Sequence, residues 1–218
     1  MKKIVFVIIL SVITPICFSK NNDESVGGNT IQNSQPILNG LDLAGLTFKE
    51  NIQSIYKQAR VNAIPSEEKT LLGYERTESS SLGFLSYNGL VVSGDFKSMK
   101  NRIIFHFSEA DEKLSMYELM IYSQSQNSEL FGAIQKKNGP PLVTKLSTDY
   151  ESGISFKQAV WAKGDIIYFL LQKLEKDNVE ISNFAVFENT NKDFYKLLGQ
   201  KGYAIDPSSL IEEALRQR

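Results

Sequence analysis

The sequence predicts an α+β protein: two degenerate units, each a helix followed by an antiparallel sheet, packed together and followed by C-terminal helices. Three observations carry this reading. In Ser128–Phe187 a helical run over Ser128–Asn138 is stopped by Asn138-Gly139-Pro140-Pro141. Strands follow, ending in the hairpin Ile166–Leu174 and Val179–Phe187. The same order recurs upstream, where a helix from Thr47 leads through several strands to the hairpin Arg102–Ser108 and Leu114–Ser123. Finally, 42% apolar and 22% charged residues over 218 positions are ordinary globular values, with enough material for a sizeable core.

The first nineteen residues read as a secretory signal. Met1-Lys2-Lys3 is a basic start, Ile4–Ile16 an almost unbroken apolar run, and Cys17-Phe18-Ser19 supplies small residues before a cleavage point after Ser19. A membrane-spanning helix needs about 20 apolar residues, and Lys20-Asn21-Asn22-Asp23 comes too soon for that. Cys17 also admits a lipid-modified cysteine, but Ile16 stands where such a site wants a small residue. The expected location is therefore periplasmic or secreted. Cys17 is the only cysteine, so the processed chain has no disulfide framework, no thiol nucleophile and no thiolate metal site.

Residues 20–40 are rich in Asn, Ser, Gly and Gln without an apolar period, and read as a flexible linker. The first helix-plus-sheet unit spans 41–124, the second 125–190, and a helical tail 191–218. Thr47 and Glu50 have capping-box spacing. Phe48, Ile52, Ile55 and Ala59 then mark one face of a helix over Phe48–Arg60, with Pro65 beyond it as the stop. Strands are expected at Leu71–Ser79 and, around the tight turn Asn88-Gly89, at Leu82–Tyr87 and Leu90–Asp95. In Arg102–Ser108, Ile103, Phe105 and Phe107 share one face while Ile104 and His106 share the other.

Asn127 or Ser128 caps the second helix, whose buried stripe is Leu130, Phe131 and Ile134. Strands follow at Leu142–Leu146 and Ile154–Ala162, and Ile166–Leu174 is apolar on both faces, as a central strand should be. The tail holds helices over Lys192–Gln200 and Leu210–Arg216, the latter with Ser209 and Glu212 at capping-box spacing. The two helices are offset by 81 residues and the two hairpins by 63 to 65, so the first unit carries about sixteen extra residues.

The residue inventory argues against most catalysis. The formal charge is −1, and −3 without Lys2 and Lys3, which is no footprint for nucleic acid. His106 is the only histidine, so a multi-histidine metal site is excluded. A serine triad would need that same histidine, which sits mid-strand between Phe105 and Phe107 and reads as a partly exposed strand residue. The scattered glycines match no phosphate-binding fingerprint, and Glu109, Asp111 and Glu112 lack the spacing of a calcium loop. No catalytic residue, metal ligand or cofactor is assigned. A carboxylate pair for hydrolysis is a reading that only the fold can test.

Surface recognition remains. An antiparallel sheet packed by helices on one side leaves its other face open. Tyr117, Tyr122, Trp161 and Tyr168 either stand on that face, as contact residues do, or fill the core between the two units. Lys157 and Gln158 would form a polar rim near Trp161.

Helix, Gly/Pro turn and antiparallel sheet, twice over in an exported chain, resemble the tandem architecture of the beta-lactamase inhibitory proteins. Single units of similar shape occur in small outer-membrane assembly lipoproteins. The resemblance covers about Leu41–Asn189 and rests on element order, on Lys137-Asn138-Gly139-Pro140 and on Val160-Trp161-Ala162. The chain lacks the inhibitors' paired cysteines and the lipoproteins' lipid-attachment site, and no functional residue carries over. The expectation is an exported, non-catalytic protein-binding protein, an inhibitor or immunity-type protein neutralising an enzyme of the cell envelope. An envelope assembly or accessory factor and a carboxylate-based hydrolase are the alternatives.

Overall fold

The structure, a computed structural model, describes residues 40–62, 68–69, 73–149, 152–175, 178–189, 193–199 and 207–218. The signal segment, the linker, Pro65 and the start of the strand expected from Leu71 lie outside the described residues. Residues 36–218 belong to one unit.

Asn51, not Thr47, caps the first helix, α1 (Ile52–Gln58), by accepting the Ser54 N–H at 2.9 Å. The Thr47–Glu50 pair forms instead in the turn ahead of it, where the Glu50 carboxylate accepts the Thr47 N–H at 3.0 Å and its hydroxyl at 2.9 Å. The reason is Phe48, whose φ of 65° cannot continue a helix. Its ring is placed against Tyr117, with centroids 6.2 Å apart. The expected stripe is nonetheless inward: Phe48, Ile52, Ile55 and Ala59 are all buried.

After β1 (Glu68–Lys69) and β2 (Tyr74–Ser79) the chain forms β3 (Ser86–Tyr87) and β4 (Leu90–Val91). Their turn has Asn88 and Gly89 at φ 50° and 79°, as the sequence predicts. The fourth strand ends early, and a second small hairpin follows, β5 (Asp95–Phe96) with β6 (Met99–Lys100). Lys97 and Ser98 turn it with φ of 49° and 68°, unusual for such residues, so composition gives no sign of it. Buried Asn101 then ties the region together. Its side chain donates to Val92 O and Ser123 Oγ, both at 2.7 Å, and accepts the Tyr122 N–H at 2.7 Å.

The hairpin β7 (Arg102–Ser108) and β8 (Leu114–Ile121) forms as expected. The next helix, α2 (Gln124–Asn138), begins four residues earlier than its sequence suggests and stops at Gly139, φ 84°. Asn127 does not cap it; the side chain is buried within the first turn and donates to Glu180 O at 2.9 Å. Four strands complete the sheet: β9 (Val143–Thr148), β10 (Ser155–Lys163), β11 (Ile166–Glu175) and β12 (Asn178–Glu188). Then come α3 (Asp193–Gly199) and α4 (Pro207–Arg216). The last helix starts at Pro207, a favoured first-turn residue, rather than after Ser209.

The architecture is α+β, with one antiparallel eight-stranded sheet in the order β1-β2-β7-β8-β12-β11-β10-β9. The strands after α1 and those after α2 meet where β8 pairs with β12, Phe184 opposite Leu119. One face is covered by α1, α2 and the small hairpins, over Phe105, Tyr117, Leu119, Trp161 and Phe184. On the other, Phe194, Leu198, Leu210 and Ile211 of the last two helices pack on Met116, Val160, Ile167 and Phe169. The expectation of one open face is corrected. Strands apolar on both sides, as Ile166–Leu174 is, must be covered on both.

Gly83 marks where backbones come closest: a Cβ there would lie 2.2 Å from Ala59 O, and the Gly83 carbonyl accepts the Leu41 N–H at 2.9 Å. This contact seats the start of the fold against the end of α1.

Candidate functional site

The structure divides the five residues expected on a binding face. Tyr117 is buried in the middle of β8, and its hydroxyl donates to Leu43 O at 3.1 Å. Tyr122 is buried just past the end of that strand, beneath the Arg102 guanidinium 5.7 Å from its ring centroid. Trp161 is 2% exposed, and its indole N–H donates to Gly139 O at 2.9 Å. These three are core residues because the face that would have displayed them is covered. Gln158, expected on the rim, is also buried, since it points to the opposite face from Lys157.

Lys157 and Tyr168 do reach the surface. They flank a strip on the α2 side of the sheet, where that helix lies over β12 and leaves β9 and β10 partly uncovered. The Lys157 ammonium stands 3.7 Å from the Phe131 ring centroid, a close cation–π contact. Phe131 leans on Trp161, centroids 5.6 Å apart, and Trp161 pairs directly with Tyr168 on the next strand. Tyr168 stacks on Phe184 at an interplanar angle of 17°. The strip thus runs from Lys157 over Phe131 to Tyr168, half-buried throughout. Beyond Lys157, directly across the ladder, stands Leu146, 63% exposed. Leu146 escaped sequence reasoning because Leu142–Leu146 reads only as a short strand with no distinct exposed face; its exposure is set by an outermost position that only the strand order reveals.

A second cluster is polar and closed. His106 Nε2 hydrogen-bonds Glu118 Oε1 at 3.1 Å, and Asn183 Nδ2 donates to Glu118 Oε2 at 3.3 Å. His106 is 2% exposed and Glu118 1%, with the Phe194 ring against the imidazole at 6.2 Å. The expectation of a partly exposed histidine is corrected: α3 covers it. The cluster joins three adjacent strands, β7, β8 and β12, and offers no room for a substrate. Its members lie 12 and 65 residues apart, so no motif could have announced it.

The acidic turn before β8 holds an exposed ion pair, Asp111 with Lys113 at 3.0 Å. Hydrogen bonds from Lys113 and then Ser108 lower the Asp111 pKa. Among the described residues no three His, Cys, Asp or Glu side chains are grouped to hold a metal ion. A nearby open depression of about 530 Å³ carries opposing charges, Lys49 and Lys113 against Asp111 and Glu188, without a convergent donor set.

The tyrosines under the α2 side give a pH signature. Burial, with smaller contributions from Tyr87, Tyr168 and Asp42, pushes the Tyr117 hydroxyl well above its ordinary value of 10.0. Burial likewise raises Tyr87, against an opposing hydrogen bond from Asn138. Above pH 10 the unfolded chain therefore loses protons that the native state keeps, and stability falls as pH rises. Each pH unit past 10 is expected to cost up to about 1.4 kcal/mol per such tyrosine. Tyrosinate absorbance should rise together with loss of the circular dichroism signal; full ionisation with the fold intact would contradict the burial.

No family model and no curated protein sequence matches the chain. Among solved structures, the crystal structure of a DUF4309 family protein (YjgB) from Bacillus subtilis aligns with 66% of this chain and 82% of its own. The identity is 13% and the TM-score 0.35.

Proposed function

We propose that this chain is an exported, non-catalytic protein-binding protein that occludes an enzyme acting in the cell envelope, as an inhibitor or immunity-type protein. The observation carrying the reading is the strip Lys157–Phe131–Tyr168. It joins a cation, an aromatic face and a half-exposed phenol, held by buried Trp161 beneath. Aromatic anchors with a cationic rim are what interface centres use. The apolar run Ile4–Ile16 ahead of a cleavage point after Ser19 supports export. Among the described residues no helix is long and apolar enough to cross a membrane.

The test is capture from an envelope extract with the tagged protein, followed by mass spectrometry, alongside a Lys157→Glu/Tyr168→Ala variant. One soluble enzyme retained at equal stoichiometry, and released about tenfold more readily by the variant, supports the inhibitor reading. Retention of a membrane complex moves the assignment to an envelope assembly factor. Repeated capture of nothing, or of partners indifferent to the variant, removes both. The carboxylate-hydrolase alternative needs a close carboxylate pair in a cleft: Glu118 is 1% exposed, and the pair Glu175–Glu180, whose hydrogen bond lowers the Glu180 pKa, stands at the solvent-facing end of the β11–β12 hairpin.

A further inference from the structure

The outer strand of the sheet carries its own information. The Asp149 N–H donates to Ile154 O at 2.8 Å, continuing the register in which Thr148 faces Ser155. In an antiparallel ladder such hydrogen-bonded positions recur every second residue. Asp149, Ser147, Lys145 and Val143 therefore turn their N–H and C=O groups toward β10, and Thr144, Leu146 and Thr148 turn theirs outward. No described residue pairs with that side. All three outward residues are exposed, and among the described residues Leu146, at 63%, exceeds the other exposed large apolar side chain, Met99, at 41%. Edge strands are ordinarily guarded by proline, a bulge or an inward charge. Within Val143–Thr148 there is no proline and the register with β10 is unbroken; Pro140-Pro141 and the off-register bond from the Leu142 N–H to Val160 O at 2.8 Å lie before it, and its one guarding charge, Lys145, stands on the face opposite Leu146.

We propose that this edge pairs with the same edge of a second copy of the chain, antiparallel, about a two-fold axis perpendicular to the sheet. Such an axis keeps each face on its own side, so only residues sharing a face pair, and the axis passes midway between the two copies of one residue. Centred on Lys145, it would set two ammonium groups directly opposite each other, which is destabilising. Centred on Leu146, it sets Leu146 against the partner's Leu146 and Thr144 against the partner's Thr148. That register uses every outward-facing N–H and C=O of Val143–Thr148 on both strands. It also moves Lys145 from directly opposite the partner's Lys145 to a diagonal position, faces it with the partner's Ser147, and sets the partner's Asp149 on its other diagonal as a compensating charge. The sheet then runs on into the second subunit, and Leu146 leaves water at the centre of the contact. Leu146 stands directly across the ladder from Lys157, so the dimer contact adjoins the Lys157–Phe131–Tyr168 strip without using its residues.

Sedimentation of the purified protein should show a concentration-dependent dimer. Leu146→Lys, which sets like charges at the axis, should raise its dissociation constant by about tenfold or more without changing the circular dichroism spectrum. Register is read by cross-linking on a Cys17→Ser background. Facing Cα atoms of a hydrogen-bonded pair lie about 5.5 Å apart, within disulfide reach. Leu146→Cys should form an oxidised dimer, while Lys145→Cys and Thr144→Cys stay monomeric. A monomer at every concentration, a dimer untouched by Leu146→Lys, or cross-linking through Lys145→Cys instead would each overturn the proposal. A monomer whose Thr144, Leu146 and Thr148 amides are protected from hydrogen exchange would overturn it too, by showing the edge already covered by its own chain.

Discussion

Trp161→Ala is expected to destabilise the fold by about 4 kcal/mol, the range for deleting a fully buried large aromatic. The indole is buried among Phe131, Ala159 and Leu170, so its removal forfeits the transfer free energy and leaves a cavity. It also strips the Gly139 carbonyl of its donor at the end of α2, about 1 kcal/mol more. Native domains have about 5–15 kcal/mol in hand, so the variant should sit near its unfolding threshold at room temperature. Guanidinium denaturation followed by circular dichroism measures this as a lower midpoint at constant slope. Trp161→Phe, which keeps much of the volume and loses only the hydrogen bond, should cost about 1–2 kcal/mol. If Trp161→Ala folded with wild-type stability but no longer captured a partner, the side chain would be a contact residue after all and its place in the core would be wrong.

Glu118→Ala is expected to cost about 2–5 kcal/mol, since it leaves two buried polar groups without that acceptor at about 1–3 kcal/mol each. The carboxylate holds His106 on one oxygen and Asn183 on the other, across three neighbouring strands. Truncation leaves both polar side chains in a dry layer beneath Phe194 without that acceptor. Replacing His106 and Glu118 together by leucine should recover part of the loss, because desolvation of that pair disappears with the pair itself while the Asn183 amide still lacks the Glu118 acceptor. The same denaturation experiment decides it. A single-variant loss under 1 kcal/mol, or a double variant worse than the single, would show that the cluster does not pin the sheet. Partner capture should be unchanged in every folded variant, since the cluster does not reach the surface.

These two residues also mark where sequence reasoning succeeds and fails. Trp161 was legible as important, and its ambiguity between open face and core was real, because alternation assigns a residue to a side of a sheet without saying what covers that side. The covering decides: Phe131 of α2 lies over it. Lys157 shares that side and remains half-exposed because it stands farther along the strand, where the Phe131 ring of α2 meets its ammonium. His106 was legible as the only histidine and misread as partly exposed, since its own strand says nothing of Glu118, Asn183 or Phe194. Asn101 gave no signal at all, as an asparagine between two strands looks like any turn residue until its three partners are in place.

Some features follow from local chemistry alone, and for these the sequence suffices. Asn88-Gly89 accepts positive φ at both positions and so makes a tight hairpin. Gly139, backed by prolines, ends α2 because it takes a φ that other residues resist. Strands apolar on both faces must lie inside a covered sheet. The absence of further histidine or cysteine removes whole classes of metal and thiol chemistry. Tertiary structure decided what depends on partners distant in the chain. It moved the first cap from Thr47 to Asn51, because Phe48 is held at positive φ against Tyr117. It closed the face that sequence left open, and it set Leu146 on the outermost strand. Composition and periodicity are properties of one segment, whereas burial is a property of what that segment meets.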